Sequence, residues 1–163
     1  MRIGIITFHA ANNYGAVIQS YALQEYIRTV EQECEIIDFN SKSQQDFNSL
    51  YPKRNGFKSI VKNIFMVRYD SKRRLRIKRF DEFRENCLIL SDTCYGEKEL
   101  KELNKRFDLF IAGSDQIWNT TKKADVNNAY FLSFVDDKKI KVAYAASLGN
   151  ATVDDLLPYK KYI

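Results

Sequence analysis

The order of three segments near the amino terminus constrains the fold more than any other feature of the sequence. The run RIGIITF at residues 2–8 is apolar and rich in β-branched side chains, which favours a strand covered on both faces. The segment AVIQSYALQEYIRTVEQ at 16–32 repeats apolar residues at helical spacing, and ECEIIDF at 33–39 is a second short apolar run. A strand, a helix and a strand in this order predict a right-handed βαβ unit.

Two further apolar runs extend the predicted sheet. DLFIAG at residues 108–113 and KIKVAYAASLG at 139–149 have the composition of strands, and the segment at 97–107 predicts a short amphipathic helix. The chain of 163 residues is long enough for one domain with a buried core. We therefore predict an α/β fold over residues 1–150, with a doubly wound, mostly parallel, Rossmann-like sheet.

The net positive charge of the chain is concentrated in one segment. Residues 53–84 contain twelve of the 26 Lys and Arg residues but only three of the 21 acidic ones. We interpret residues 41–84 as a basic helical excursion between strands, and a solvated helix face is the favoured explanation of its charge. Contact with an anionic membrane surface and contact with nucleic acid are the alternatives. Nucleic acid is the less expected partner, because the aromatic residues lie beside Ile and Leu at helical spacing.

The cysteines and the apolar runs indicate the cellular compartment. Cys34, Cys87 and Cys94 are odd in number and have no C-x-x-C spacing, which favours reduced thiols. The apolar start at residues 3–6 is too short for a secretory signal, and no run approaches the ~20 apolar residues that span a bilayer. The sequence therefore predicts a cytoplasmic protein, with a peripheral position at the inner face of the membrane left open.

The sequence lacks the common motifs for cofactors and metals. The first strand-to-helix turn has a single glycine, Gly15, and neither the G-x-G-x-x-G pattern of dinucleotide-binding folds nor the P-loop pattern. His9 is the only histidine, and the cysteines lack ligand spacing, so we predict neither a metal nor a cofactor. Gly15 is still a candidate binding residue, because glycine at this turn allows a positive φ or the close approach of a ligand.

Three polar loops are predicted to form one ligand site. Doubly wound sheets bind ligands at the carboxyl ends of their strands, and the loops at 9–15, 113–119 and 146–150 leave three predicted strands at such ends. The candidate binding residues are His9, Asn12, Asn13, Gly15, Gly113, Ser114, Asp115, Gln116, Trp118, Asn119 and Ser147.

Several of these residues also have a purely structural explanation. Asn12 or Asn13 either caps the following helix or contacts an oligosaccharide or a phosphate group. His9 is either a structural hydrogen-bonding residue or a general acid or base. Trp118 either packs in the core or offers a flat face to a sugar ring, and Asp115 either bonds its own backbone or accepts hydrogen bonds from sugar hydroxyls. The sequence alone leaves these alternatives open.

Three stretches of the sequence resemble the polysaccharide pyruvyl transferase family. They are IGIITFHAANNYGAVIQSYAL at 3–23, DLFIAGSDQIWN at 108–119 and VAYAASLG at 142–149, and each contains residues of one predicted loop. The likeness covers most of the predicted sheet domain and is only general in residues 41–84. Thr120 departs from the family pattern, which often has proline there, so the resemblance defines the turn at this position less well.

The resemblance implies the amino-terminal half of a two-domain, glycosyltransferase-like protein. Members of the family transfer the pyruvyl group of phosphoenolpyruvate to a sugar of a cell-surface polysaccharide or its precursor, in synthesis of the bacterial envelope. The implied partners are phosphoenolpyruvate as the donor substrate, a saccharide acceptor that is free or lipid-linked, and a carboxyl-terminal domain. Residues 151–163 are expected to begin a helix leading to that domain, with Thr152 as its N-cap and Asp155 three positions on.

The resemblance also implies different roles for the two domains. The arginines and the histidine that contact phosphoenolpyruvate are expected in the second domain, so this chain alone is expected to be inactive. His9, Asn13, Asp115 and Gln116 are the favoured contacts in the cleft between the domains, and Asp115 is the best candidate to orient an acceptor hydroxyl. The catalytic acid and base stay unassigned.

The resemblance leaves the assembly and two other functions open. An apolar face that the second domain would cover is expected to be exposed, and formation of a homodimer or aggregates would follow. A nucleotide-sugar glycosyltransferase of similar architecture and a non-catalytic module that binds anions or carbohydrate are the alternative functions.

Overall fold

The computed structural model describes residues 1–31, 33–42, 44–45, 70–120 and 128–162. Within them the chain forms a sheet of four strands with helices packed around it. The strands and α-helices are β1 Arg2–Ile6, α1 Tyr14–Val30, β2 Glu33–Ile36, α2 Asp70–Cys87, α3 Glu97–Glu102, β3 Leu109–Asp115, β4 Ile140–Ala146 and α4 Val153–Leu156. Short 3₁₀ helices occur at Leu103–Lys105, Asn128–Phe131 and Leu157–Tyr162.

All strand pairs of the sheet are parallel, and the strand order is β2-β1-β3-β4. Ile3 of β1 lies opposite Cys34 of β2 on one side and opposite Leu109 of β3 on the other. The chain therefore adds β2 beside β1 and then returns to add β3 on the opposite side, so the strand order reverses between β1 and β3. This confirms the predicted α/β fold with a parallel, Rossmann-like sheet, and it places the switch point between β1 and β3.

Successive side chains of the central strands face two separate hydrophobic clusters. Ile5 of β1 and Ile111 of β3 pack on one face with Leu23 of α1. Ile6 and Phe110 pack on the opposite face in a second cluster. Because both faces are covered, β1 and β3 are apolar at nearly every position, as the sequence predicted for central parallel strands.

Some element boundaries differ from the sequence-based expectations. β2 ends at Ile36, and the segment after α2 runs parallel to it through isolated bridges between Ile36 and Leu90 and between Phe39 and Cys94. The expected helix at 97–107 is divided into α3 and the tighter turn that follows it. These differences arise because the chain pairs and turns around neighbouring segments that local periodicity does not reveal.

The short helix α4 begins where the sequence predicted it. The backbone N–H of Thr152 donates to Asp155 Oδ2 at 2.9 Å, and the Thr152 hydroxyl lies 2.8 Å from the same oxygen. These contacts fix the start of α4 at Val153. The chain then tightens into a 3₁₀ helix that contains Pro158, whose missing N–H is compatible with such a turn.

The helix α2 contains the carboxyl-terminal part of the basic excursion, and residues 46–69 lie outside the described residues. Phe80 is buried, and its ring centroid lies 4.8 Å from that of Tyr14. Phe83 contacts Tyr21 edge to face at 5.8 Å. Most other side chains of α2 are exposed, so aromatic contacts attach the helix to α1 while most of its charges face solvent. Within the described ranges, no helix combines the length and the apolar character needed to cross a bilayer.

The edge strand β4 exposes apolar side chains, unlike the two central strands. Ile140 is 54% exposed, Val142 38% and Tyr144 52%. Parallel strands in proteins are normally covered by other elements on both faces. An apolar surface is therefore exposed along β4, which we call the β4 surface (Ile140–Ala146).

Candidate functional site

Two of the predicted loops are joined by backbone hydrogen bonds at the carboxyl ends of β3 and β4. The N–H of Ser147 donates to the carbonyl of Asp115 at 2.9 Å, and the N–H of Trp118 donates to the carbonyl of Ser147 at 3.2 Å. These bonds extend the pairing of β3 and β4 into their loops. The residues 113–119 and 146–149 therefore form one unit, which joins two of the three loops of the predicted site.

Two glycines allow this close approach of the loops. Gly113 has a φ of +143°, and a Cβ atom there would lie 1.8 Å from the carbonyl oxygen of Tyr144. Gly149 has a φ of +59°, and a Cβ atom would lie 2.6 Å from the side-chain amides of both Gln116 and Asn119. A larger residue at position 113 would push the backbones of the two loops apart, whereas one at position 149 would displace the ends of the Gln116 and Asn119 side chains and adopt a strained φ.

The backbone in this unit and directly before its second loop is strained at two residues that are not glycine. Asp115 has a φ of +93° and Ala145 has a φ of +49°. Such conformations cost free energy and cluster at functional sites in proteins. The half-buried carboxylate of Asp115 accepts a hydrogen bond from the N–H of Gln116 through Oδ1 at 2.7 Å. Of the two alternatives for Asp115, the hydrogen bond to the local backbone is therefore present. This bond holds the carboxylate at the carboxyl end of β3.

The indole of Trp118 is half-buried and held in a fixed orientation. Its Nε1–H donates to the carbonyl of Tyr130 at 3.0 Å. The ring stacks on Phe131 at 5.7 Å with an interplanar angle of 9°, and Phe131 stacks in turn on Tyr159 at 5.0 Å. Trp118 is thus a packing residue of intermediate burial, and its role as a flat face for a sugar ring stays a prediction.

The remaining candidates in these loops hold the turns together. The carbonyl of Ser114 accepts a hydrogen bond from the Thr7 hydroxyl at 2.9 Å. Asn119 Nδ2 donates to Gln116 Oε1 at 3.4 Å, and the N–H of Gly149 donates to Ser147 Oγ at 3.0 Å. Gln116 and Ser147 are exposed, which leaves both side chains accessible to a ligand.

The first loop is ordered by the helix that follows it and by the basic helix α2. Asn13 caps α1, with Oδ1 accepting from the N–H of Ala16 at 3.3 Å. Gly15 lies in the first turn of α1 and has no positive φ. A positive φ therefore does not explain why glycine occupies this position. Asn12 Oδ1 accepts from Arg84 at 3.2 Å, and its carbonyl accepts from Arg76 at 3.1 Å.

Sequence reasoning missed the contribution of Arg76 and Arg84 to this loop. Arg84 has only 12% of its side chain exposed and also bonds the carbonyl of Ala11 and the carboxylate of Asp81. The sequence shows Arg84 only as one of many cations in a basic segment, and its i,i+3 spacing from Asp81 is that of an ordinary surface pair. No pattern in the sequence distinguishes it from its neighbours.

His9 lies beneath the loop and is 2% exposed. Its Nε2 lies 3.0 Å from Asp38 Oδ1, and its Nδ1 lies 3.3 Å from the carbonyl of Thr7. Asp38 also accepts from the Thr93 hydroxyl at 2.6 Å. Burial opposes ionisation of Asp38, but the hydrogen bonds from His9 and Thr93 outweigh it and lower the pKa of Asp38 below its ordinary value. Both ring nitrogens thus face partners inside the protein, and the role of His9 as a cleft contact stays a prediction.

The Asp38 cluster has a consequence for stability that depends on pH. Replacing Asp38 by asparagine is expected to lower the free energy of unfolding at pH 7 by about 1–3 kcal/mol, because charge-assisted hydrogen bonds are lost. A carboxylate with a lowered pKa in the folded chain stabilises the fold above the pKa of the unfolded chain, about 4, and loses this contribution as the pH falls through its folded pKa. Urea unfolding of both proteins at several pH values from 7 downward should show the difference shrinking below about pH 4.

Asp137→Asn is the matched control for this measurement. The Asp137 side chain is fully exposed, and it pairs with the nearby Lys141 in an i,i+4 surface contact. We expect it to change the stability by less than about 0.5 kcal/mol. A difference between Asp38→Asn and wild type that stays constant across the pH range would contradict the assignment.

Two further polar residues lie at the switch point and were not predicted. Thr7 follows β1 directly, and its hydroxyl bonds the carbonyl of Ser114 in β3. Gln19 of α1 donates from Nε2 to Thr7 Oγ1 at 2.8 Å. These contacts connect α1 with the ends of both central strands. The buried face of α1 also contains the polar residues Ser20 and Gln24, so no pattern in the sequence distinguishes Gln19 from them.

The candidate site consists of the loops at the carboxyl ends of β1, β3 and β4. A separate pocket of about 370 Å³ lies between Phe39, the start of α3 at Gly96, the segment around Asn128 and Tyr162. None of the predicted binding residues lines this pocket. In the described part of the chain, no group of three or more His, Cys, Asp or Glu side chains is arranged to hold a metal ion.

Comparison with known protein families gives one match. A family model described as polysaccharide pyruvyl transferase matches residues 13–160, which is most of the chain and includes both loops of the joined unit. Searches of curated proteins and of solved structures found no significant match.

Proposed function

Because the chain belongs to the polysaccharide pyruvyl transferase family, we propose that it forms the acceptor-binding half of an enzyme that pyruvylates a saccharide. The family implies a transferase with a saccharide acceptor. We further propose that phosphoenolpyruvate is the donor and that the acceptor is a sugar of a cell-surface polysaccharide or its precursor. The family match over residues 13–160 is the observation that carries this proposal.

The overall reaction converts two sugar hydroxyls and phosphoenolpyruvate into a pyruvate ketal and phosphate. The two hydroxyl oxygens form bonds to the same carbon of the donor, the bond from this carbon to the phosphate oxygen breaks, and the methylene group gains a proton. Of the two protons that the hydroxyls lose, one balances the new methyl group and the other leaves with phosphate. The reaction therefore needs a group that orients the hydroxyls, a proton donor and cations for the anionic donor.

The loops at the carboxyl ends of β3 and β4 suit the first of these tasks. We assign the carboxylate of Asp115 to the acceptor hydroxyl, because it is held by the Gln116 N–H on a strained backbone. The fixed ring of Trp118 lies three residues away and can provide a flat surface for a sugar ring. Gln116 and Ser147 add exposed hydrogen-bonding groups around this position.

The cations for phosphoenolpyruvate are assigned to a second domain. Arg76 and Arg84, the arginines that contact the first loop, have hydrogen-bond partners within it, which makes them supports of the loop. We propose that the second domain packs on the β4 surface, where Ile140, Val142 and Tyr144 are exposed. A second copy of the chain on the same surface is the alternative arrangement.

Phosphate release tests this function directly. The complete natural polypeptide that carries this sequence would be incubated with phosphoenolpyruvate and a panel of p-nitrophenyl hexosides. We expect phosphate release that requires both substrates, together with a product in which the sugar carries a pyruvate ketal by mass spectrometry. Tight binding of a nucleoside diphosphate with no turnover of phosphoenolpyruvate would instead indicate a nucleotide-sugar glycosyltransferase. Glycoside binding without any turnover would indicate a binding module.

A further inference from the structure

The side-chain amide of Gln19 has one orientation that its neighbours allow. Its Nε2 lies 2.8 Å from Thr7 Oγ1 and 3.0 Å from Ser20 Oγ. The Thr7 hydroxyl gives its proton to the carbonyl of Ser114, and the Ser20 hydroxyl gives its proton to the carbonyl of Ala16 at 2.7 Å. Both hydroxyl oxygens therefore present lone pairs to Gln19, and only the NH₂ group of the amide can face them.

This orientation leaves the amide oxygen without a donor. Gln19 Oε1 is buried, and no donor among the described residues lies within hydrogen-bond distance of it. Buried polar atoms in native proteins nearly always have a partner, and an acceptor without one costs free energy. The described residues therefore leave this oxygen without the donor that a buried acceptor normally has.

The position of Gln19 indicates where that donor comes from. The side chain reaches Thr7 at the end of β1, and Thr7 bonds Ser114 in β3. Gln19 is thus at the point between β1 and β3 where the strand order reverses. Ligands of doubly wound sheets bind in the crevice at this point. Ser114 directly precedes Asp115, so the amide lies close to the loop that we assign to the acceptor.

We propose that Gln19 Oε1 accepts a hydrogen bond from a hydroxyl of the saccharide acceptor between β1 and β3, and that the loop after β1 moves aside on binding, because the oxygen has almost no exposed surface in this structure. A neutral oxygen that can only accept selects a hydroxyl donor and disfavours the phosphate and carboxylate of phosphoenolpyruvate, which have only acceptors at neutral pH. Gln19 is a positioning residue, and its role depends on the proposed function because the ligand is taken to be the acceptor saccharide. The competing explanation is an internal water molecule that bonds Oε1 and serves only the fold.

The test compares Gln19→Met with Ser20→Ala in the complete natural polypeptide. Methionine has a similar length and removes the amide, whereas Ser20→Ala removes one partner of Nε2 and leaves Oε1 in place. Isothermal titration calorimetry with p-nitrophenyl hexosides measures binding without any need for turnover. We expect Gln19→Met to weaken hexoside binding by about tenfold or more and to leave the KM for phosphoenolpyruvate unchanged, with little loss of thermal stability. Ser20→Ala should keep the affinity for the hexoside.

The outcomes separate this inference from the proposed function. A wild-type protein that binds hexosides but releases no phosphate would contradict the pyruvyl transfer, while weaker binding by Gln19→Met would still support the subsite. Hexoside affinity that is unchanged in Gln19→Met, with a lower melting temperature, would overturn the inference in favour of a structural water. A wild-type protein that binds none of the hexosides would overturn it as well.

Discussion

Replacing Gly113 by alanine is expected to lower the free energy of unfolding by about 4 kcal/mol or more, or to prevent folding. The new Cβ atom would lie 1.8 Å from the carbonyl oxygen of Tyr144, and the φ of +143° is one that alanine rarely adopts. The backbone of β3 and β4 would have to separate, which breaks the pairing of Gly113 with Tyr144. A domain of this size is stabilised by about 5–15 kcal/mol in total, so the loss is a large fraction of it.

The measurement is urea unfolding followed by circular dichroism, with Gly96→Ala as the matched control. Gly96 has a φ of −157°, which any residue adopts, and a Cβ atom there would make only an ordinary contact of 3.4 Å with Glu99 Oε2. We expect the control to change the stability by less than about 1 kcal/mol. Equal stability of the two variants would show that β3 and β4 are not packed as closely as the structure describes.

The sequence predicted the sheet and the contact between the loops after β3 and β4 because both depend on local patterns. Apolar runs at 2–8 and 108–113 identify the central strands, since parallel strands are buried on both faces. Loops that follow such strands necessarily lie at the same edge of the sheet, so the joining of Asp115 and Ser147 followed from the architecture. The start of α4 was also predictable, because a capping box involves residues three positions apart.

The sequence could not identify contacts between residues that are distant in the chain. Asp38 lies 29 positions after His9, and neither residue carries a local sign that the other is its partner. Arg84 reaches Asn12 across 72 positions. The orientation of the Gln19 amide depends on where two hydroxyl protons go, which only the arrangement of the neighbouring groups reveals.

Local sequence patterns also could not predict that the side chains of β4 are exposed. Its apolar alternation at Val142 and Tyr144 matches that of a covered strand, but both side chains are exposed. This mismatch between the composition of β4 and its exposure is the structural support for the proposed second domain.

Asp115→Asn is expected to reduce kcat/KM for the saccharide acceptor by about 100-fold or more in the complete natural polypeptide. Asparagine keeps the shape of the side chain, tolerates a positive φ, and can still accept a hydrogen bond from the N–H of Gln116. The substitution therefore removes the negative charge while the loop is retained, and we expect a change in stability of less than about 0.5 kcal/mol. The loss of rate follows because a neutral amide oxygen holds an acceptor hydroxyl more weakly than a carboxylate does.

Phosphate release at varied acceptor and donor concentrations measures this effect, with Asp137→Asn as the matched control. Asp137 precedes β4, so its carboxylate lies at the amino edge of the sheet, opposite to the loops of the site. The control should retain the wild-type kcat/KM. The KM for phosphoenolpyruvate should stay unchanged in Asp115→Asn, because the anionic donor is assigned to groups outside this loop. If Asp115→Asn kept the full rate with the acceptor, Asp115 would have no part in orienting it, and the strained backbone at this position would need a different explanation.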